Sequence, residues 1–114
     1  MWFIILLLLL MSSCEKPQTK EALKAEEVRS LFKERGCTDC HDKTRELIGP
    51  SFMEIAKRYK GEAKAENILF RSLKEGSCKK WKARWECMPP QRVGEEEARQ
   101  MIRWILTLEP QSYQ

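Results

Sequence analysis

The sequence has 114 residues, enough for one small domain with a modest apolar core. Its 21 basic and 17 acidic side chains give a formal charge of +4, a smaller excess than nucleic-acid-binding domains carry, so we expect no nucleic-acid partner. Helical periodicity predominates in the hydrophobic pattern, with no strand pattern and no internal repeat, which predicts an all-α chain.

The chain begins with an apolar segment that is typical of a secretion signal. Trp2 to Met11 are ten consecutive apolar residues, too few for a membrane span, which needs about 20. Met11-Ser12-Ser13-Cys14 follows the pattern of a bacterial lipobox, although leucine is usual at position 11 and no Lys or Arg precedes the run. We expect residues 1–13 to be a lipoprotein-type signal peptide, cleaved before a lipidated Cys14. The alternatives are ordinary secretion with Cys14 as a spare thiol, or an uncleaved anchor.

A polar tether is expected over residues 14–21, followed by the folded domain over residues 22–114. The first helix is predicted to start near Glu21, and Gly36 is suited to end it in a left-handed conformation. Apolar residues recur along this helix at steps of three and four, which predicts one buried face: Ala22, Ala25, Val28, Leu31 and Phe32.

A C-x-x-C-H motif follows this helix directly, as Cys37-Thr38-Asp39-Cys40-His41. The motif is the attachment signature of c-type haem, in which two thiols form thioethers and the adjacent histidine binds the iron. We therefore predict one covalent haem c. A thioredoxin-like redox pair needs a βαβ pattern, which the sequence lacks. A zinc site needs four ligands, and the adjacent Cys40 and His41 do not readily converge on one tetrahedral ion.

Three further helices are predicted after a polar loop over residues 43–48. Their expected boundaries are a cap at Ser51 and a stop at Gly61, then about Ala63 to Lys74, then an N-cap at Gly94 and an end at Pro110. The third helix is expected to bury Ile68, Leu69 and Leu73. Residues 77–93 have no helical period.

The second axial ligand of the iron must come from elsewhere, and it cannot be another histidine because His41 is the single histidine of the sequence. Met88 is the best candidate, since it lies in an irregular stretch, Cys87-Met88-Pro89-Pro90, whose prolines reduce the entropy of the unligated loop. Cys87, a lysine or water are the alternatives. A Met/His pair raises the iron potential relative to a more basic pair.

Two cysteines remain after those expected to carry lipid and haem. In an oxidising compartment Cys78 and Cys87 are expected to form a disulfide, which would close a short loop and contribute about 2–3 kcal/mol. The alternatives are two free thiols or an intermolecular bridge.

Basic side chains are frequent in the stretch over residues 77–93, where Glu86 is the one acidic residue. The basic residues are Lys79, Lys80, Lys82, Arg84 and Arg92. They are either a solvated loop or a steering patch for an acidic docking surface on a partner.

The order and spacing of these motifs resemble a known family. They are the helix Val28–Arg35 before the C-x-x-C-H motif, then Gly49-Pro50-Ser51-Phe52, Gly76-Ser77, Trp81, Met88-Pro89-Pro90 and Trp104-Ile105-Leu106. Over about residues 26–108 the chain resembles the short bacterial class I cytochromes c, which carry electrons to terminal oxidases or nitrite reductases. The resemblance implies the class I cytochrome c fold, with about four helices around one covalent haem.

The resemblance also implies roles for individual residues. Cys37 and Cys40 would hold the haem, His41 and Met88 would be its axial ligands, and the Pro50 carbonyl would accept the His41 ring N–H. Trp81 would hydrogen-bond a haem propionate, and Phe32 and Trp104 would meet where the first and last helices cross; plain core packing is the alternative for each aromatic. Because residues 82–87 form a longer link than the short family members have, either Trp81 or Trp85 is a candidate for the propionate.

Together these features predict a mono-haem electron carrier, not an enzyme, that is tethered to a membrane in the bacterial periplasm. The implied partners are a donor of the quinol–cytochrome c reductase type and an acceptor that is a terminal oxidase or reductase. The alternative is a peroxidase or small-gas sensor in which Met88 leaves the iron, although no second histidine is present to act as a distal base. A structural or assembly lipoprotein without a redox role is a third interpretation.

Overall fold

The computed structural model describes residues 20–82, 84 and 86–109. The elements, in chain order, are α1 (Lys20–Glu34), a 3-10 turn (Cys37–Asp39), α2 (Phe52–Tyr59), α3 (Ala65–Glu75), β1 (Ser77–Cys78), β2 (Cys87–Met88) and α4 (Glu95–Leu106). The four predicted helices are therefore present. The expected signal peptide and Cys14 lie outside the described residues. Among the helices that are described, none is long and apolar enough to cross a membrane.

The helix ends follow from local backbone chemistry. Gly36 ends α1 in the predicted left-handed conformation, with φ 74°, and its N–H donates to the Lys33 carbonyl at 3.1 Å. Ser51 caps α2 as predicted: its hydroxyl accepts the Glu54 N–H at 3.1 Å, and the Glu54 carboxylate accepts the Ser51 N–H at 3.3 Å. Such a cap contributes about 1 kcal/mol to stability. The start of α2, next to the haem motif, is thus fixed by its own sequence.

The core lies where α1 and α2 meet α4. Phe32 contacts Phe52 with ring centroids 4.7 Å apart and Trp104 with centroids 5.1 Å apart, so α1 and α4 meet at the predicted aromatic pair. Val28 is 6% exposed, whereas Ala25 on the same predicted face is exposed. Among the side chains of α1 that the structure describes, residues 24–34, burial therefore begins at Val28.

Ion pairs connect the helices at the surface. Arg35, beyond the end of α1, pairs with Glu97 of α4 at 2.6 Å. Glu66 of α3 accepts from two arginines of α4, Arg99 at 3.1 Å and Arg103 at 3.3 Å. Because these side chains remain partly exposed, solvent screens each pair and their main effect is to fix the packing of the helices.

The sequence predicted no strand, and this was wrong for one short pair. β1 and β2 pair antiparallel, with Ser77 opposite Met88 and Cys78 opposite Cys87. Each strand has two residues, too few to show the alternation of polar and apolar residues by which strands are recognised.

The third helix also differs from the prediction. It starts at Ala65, and its buried residues are Ala65 and Ser72, while the expected apolar face is half-buried.

Candidate functional site

An apolar pocket lies between the 3-10 turn, α2, α3, α4 and the segment that carries Met88. The pocket brings together the haem-motif residues and several other residues predicted from the sequence: Cys37, Cys40, His41, Pro50, Trp81 and Met88. Most of its wall is hydrocarbon, from Phe52, Ile55, Leu69, Leu73, Ile102 and Ile105. The half-buried face of α3 is therefore a pocket wall, which explains why Leu69 and Leu73 do not pack into the protein core.

The two motif cysteines are held on one tight turn. The N–H groups of Cys40 and His41 both donate to the Cys37 carbonyl, at 3.2 and 2.9 Å. Both thiols are half-buried at the pocket wall. Burial raises the pKa of the Cys37 thiol above its ordinary value, which favours the neutral thiol at the pocket wall. The turn presents both sulfurs to the same pocket, as two thioether bonds to one macrocycle require.

The His41 ring is fixed by the turn at Gly49-Pro50. Its Nδ1 lies 2.6 Å from the Pro50 carbonyl oxygen, so that Nδ1 donates a proton there and Nε2 keeps its lone pair for a metal. A Cβ on Gly49 would lie 2.6 Å from His41 Cε1, so the ring has room only because residue 49 is glycine. The ring also stacks on Phe52 at 5.5 Å.

Asp42 organises the loop after the histidine, a role that the sequence analysis missed. Its carboxylate accepts the N–H groups of Thr44 at 3.1 Å and Arg45 at 2.9 Å, and these bonds hold the pKa of Asp42 below its ordinary value. Its carbonyl accepts the Phe52 N–H at 2.9 Å. The sequence signal is an Asp two residues before a Thr, the pattern of an Asx turn. This loop brings Pro50 back to His41.

Met88 is positioned by its backbone neighbours. Its residue pairs with Ser77 across the two strands, and the following chain is fixed by a bond from the Gln91 N–H to the Leu73 carbonyl at 2.7 Å. Gly76 packs against this segment: a Cβ there would lie 2.9 Å from the Met88 carbonyl oxygen and 3.1 Å from Pro90 Cδ. The ligand segment is thus in close backbone contact with the end of α3.

Cys78 and Cys87 face each other beside Met88. They are directly opposite each other in the strand pair, with Cα atoms 4.1 Å apart and their sulfur atoms in contact. The cysteine pair therefore lies within bonding distance and closes the loop that separates Trp81 from Met88. Trp85, the other candidate for a propionate contact, lies outside the described residues.

Trp81 lies at the pocket wall within a group of polar and aromatic side chains. Its ring meets Tyr59 edge to face at 6.4 Å, and the Arg58 guanidinium lies 4.5 Å from its ring centroid. Arg58 also donates to the Lys80 carbonyl at 2.5 Å. The sequence analysis gave Arg58 no role because an arginine on an exposed helix face has no distinguishing pattern.

Comparisons with known proteins identify the family of this chain. The family model described as "Cytochrome c" matches residues 25–109. The chain belongs to the cytochrome c family. It is 37% identical over 78 residues to cytochrome c-552 of Hydrogenobacter thermophilus, a match that covers 68% of this chain and 78% of that protein. It is 39% identical over 77 residues to cytochrome c-551 of Azotobacter vinelandii, with 68% and 92% covered.

The fold has solved relatives as well. The crystal structure of wild-type cytochrome c552 of Nitrosomonas europaea matches with a TM-score of 0.66 at 32% identity, over 71% of this chain and 99% of that one. The class 1 cytochrome MtoD of Sideroxydans lithotrophicus matches with a TM-score of 0.59 at 25% identity, over 72% and 92%. The predicted class I cytochrome c fold is confirmed.

Family membership also confirms the predicted cofactor and activity class. Cytochromes c of this class hold haem c covalently, with histidine and methionine as axial ligands, and they are electron-transfer proteins and not enzymes. The residues present fit this group, because an apolar pocket is bordered by two neighbouring cysteines, a histidine with its Nε2 available and a methionine. The chain is therefore a c-type electron-transfer protein.

Proposed function

We propose that the protein is a membrane-tethered periplasmic carrier of single electrons, with His41 Nε2 and Met88 Sδ as the axial ligands of its haem iron. One observation carries the proposal: His41, with its Nδ1 bonded to Pro50, lines the same apolar pocket as Met88 and the two motif cysteines. If His41 and Met88 both bound the iron, they would leave it no open site for a substrate.

When bound, the haem supplies an iron that gains and loses one electron without making or breaking covalent bonds. Cys37 and Cys40 hold the macrocycle through thioethers. Pro50 fixes the His41 ring and strengthens its donation, because a hydrogen bond at Nδ1 makes Nε2 more basic. The hydrocarbon walls exclude water, and together with fixed ligands they limit the rearrangement that accompanies each change of charge.

The tether and compartment rest on the N-terminal sequence and the cysteine pair. Residues 1–13 act as a signal peptide, Cys14 receives lipid, and residues 14–21 lead to the haem domain, which spans residues 22–114. A Cys78–Cys87 disulfide beside the ligand segment is consistent with an oxidising compartment, such as the periplasm. A lipid anchor would keep the carrier close to membrane-bound respiratory partners.

The proposed docking surface is the basic loop, which we define as Lys79, Lys82, Arg84 and Arg92. All four residues are exposed, and the loop lies next to the pocket residues Trp81 and Met88. A positive surface beside the haem pocket would steer acidic faces of a quinol–cytochrome c reductase type donor and of a terminal oxidase or reductase. Electron-transfer rates to such a partner are expected to fall as ionic strength rises.

Binding of carbon monoxide distinguishes a carrier from a peroxidase or gas sensor. The ferrous holoprotein is expected to bind carbon monoxide poorly, because Met88 occupies the site that the gas would take. A Met88→Ala variant serves as the positive control and is expected to bind it readily. If the unaltered ferrous protein bound carbon monoxide as fast as the variant, the carrier proposal would be wrong and a sensor would be favoured.

The anchor has a separate test. The full chain and a Cys14→Ser variant are expressed with the haem maturation system, and cells are separated into periplasmic and membrane fractions. The unaltered protein is expected in the membrane fraction, and the variant is expected to lose its lipid-dependent attachment. A haem protein that is periplasmic and soluble in both cases would contradict lipidation while leaving electron transfer intact.

A further inference from the structure

Lys80 is an exposed residue, but it differs from the residues of the basic loop because its ammonium group reaches back to α3 beside the pocket. Its side chain lines the pocket, and Nζ lies 3.4 Å from the hydroxyl oxygen of Ser72 on α3. Ser72 is 8% exposed and donates its own proton to the Ile68 carbonyl at 3.1 Å, so its hydroxyl oxygen is available to accept from Lys80. This contact holds a positive charge at the pocket wall.

The backbone around Lys80 favours this placement. Lys79 adopts a left-handed conformation, φ 60°, which is uncommon for a residue with a side chain, and its N–H donates to the Glu86 carbonyl at 2.7 Å. Arg58 donates to the carbonyl of Lys80 while its guanidinium packs over Trp81. The turn at Lys79 and the bond from Arg58 therefore fix Lys80 and Trp81 side by side along the pocket.

A haem in this pocket would bring carboxylates that need a cation or hydrogen-bond donors nearby. Haem c carries two propionates, and an anion beside an apolar wall is costly unless it is paired or hydrogen-bonded. Of the described lysines and arginines, Lys80 alone lines the pocket. In the same part of the chain its ammonium group has no carboxylate partner, although Glu86 also lines the pocket.

We propose that Lys80, held by Ser72, forms an ion pair with a haem propionate and thereby raises the reduction potential of the iron. A fixed positive charge near the haem disfavours the ferric form, which carries one more positive charge than the ferrous form. The same ammonium group stabilises the propionate anion against protonation. Lys80 therefore acts on the haem at the edge of the pocket, whereas the residues of the basic loop act on partners.

The test is the reduction potential of the holoprotein as a function of pH, in the unaltered protein and in Lys80→Gln. The potential falls with rising pH where the propionate loses its proton. In Lys80→Gln this fall is expected about one pH unit higher, since loss of an opposite charge at short range raises a carboxyl pKa by that order. At pH values above the fall, the variant is expected to have the lower potential.

Matched variants separate this role from net charge and from folding. Lys82→Gln removes the same charge from a neighbour that does not line the pocket and is expected to leave both the potential and the pH of the fall nearly unchanged. Lys80→Arg is expected to restore the behaviour of the unaltered protein. Ser72→Ala, which keeps the charge but removes its hydroxyl partner, is expected to shift the pH profile in the direction of Lys80→Gln by a smaller amount.

The proposal is overturned if Lys80→Gln and Lys82→Gln have the same potential and the same pH profile. If Lys80→Gln does not mature, an unchanged profile in Ser72→Ala overturns it equally. Among the residues that the structure describes, Arg58 and Lys79 adjoin Lys80, and Tyr59 and Glu86 line the same pocket; all four remain in every variant. Absorption spectra that retain the Met88-to-iron band show that the axial ligands are unaffected, so failure here leaves the carrier function standing.

Discussion

Gly76→Ala perturbs the segment that carries Met88 without touching Met88 itself. Gly76 has φ 83° and ψ 172°, a backbone region that residues with a side chain essentially avoid, at a cost of about 1–3 kcal/mol. A new Cβ would also lie 2.9 Å from the Met88 carbonyl oxygen and 3.1 Å from Pro90 Cδ. Neither neighbour can rotate away, because one is backbone and the other is a proline ring, so overpacking adds about 1–3 kcal/mol.

We expect Gly76→Ala to lose about 2–6 kcal/mol of unfolding free energy, since both costs act at once. Gly61→Ala is the control, because Gly61 also has a positive φ, 84°, but a Cβ there would meet nothing within 4 Å. It is expected to lose only the cost of a left-handed residue, about 1–2 kcal/mol.

The assay is urea unfolding of the ferric holoproteins, with the Met88-to-iron charge-transfer band recorded before denaturant is added. Gly76→Ala is expected to weaken this band, whereas Gly61→Ala retains it, because only the first variant displaces the ligand segment. The reasoning is refuted if the two variants lose equal stability and both keep the full band.

Three further predictions follow from the contacts of other residues. Cys78→Ser/Cys87→Ser is expected to lose the Met88-to-iron band at a lower temperature on heating, because the strands beside Met88 lose their link; an unchanged temperature would count against a bond that protects ligation. Glu66→Gln is expected to reduce the acid sensitivity of the unfolding free energy. Hydrogen bonds and charge from two α4 arginines hold the pKa of Glu66 below its ordinary value of 4.5. The ionised carboxylate therefore stabilises the folded protein above that value, and this stabilisation is lost as pH falls through the lower folded pKa. Equal slopes of stability against acidic pH in both proteins would contradict this. Gly49→Ala is expected to displace the His41 ring from Pro50 and to raise the reduction potential, since a less basic histidine favours ferrous iron. Gly94→Ala is the control: it has open space at its Cβ and is expected to leave the potential unchanged. Equal potentials in the two variants would argue against the Pro50 contact.

The sequence predicted the parts of the fold that depend on local chemistry. Gly36 ends α1 and Ser51 caps α2 because a left-handed glycine and a side-chain cap act within a few residues of chain. The contact between Phe32 and Trp104 was predicted through the family resemblance, since no local sequence pattern identifies which aromatic rings of distant helices meet. The haem motif was the clearest signal, because its five residues carry their chemistry in consecutive positions.

The features that the sequence missed depend on distant partners. β1 and β2 have two residues each, too few for an alternating pattern, and their pairing joins residues nine positions apart in the chain at Cys78 and Cys87. Lys80 was grouped with its basic neighbours because its contact with the pocket wall depends on the backbone turn at Lys79 and on Ser72 of another helix. Arg58 contacts Trp81 only after α2 and the loop are packed together.

The central claim is that Met88 is the distal ligand of an iron that cycles between two oxidation states. Met101 also lines the pocket and is buried, so it is a natural comparison for the same substitution. The most direct measurement is a spectroscopic redox titration of the matured protein, Met88→Leu and Met101→Leu. The account predicts that Met88→Leu alone loses the methionine-to-iron band and has a lower potential. A Met88→Leu protein that keeps both the band and the potential would contradict it.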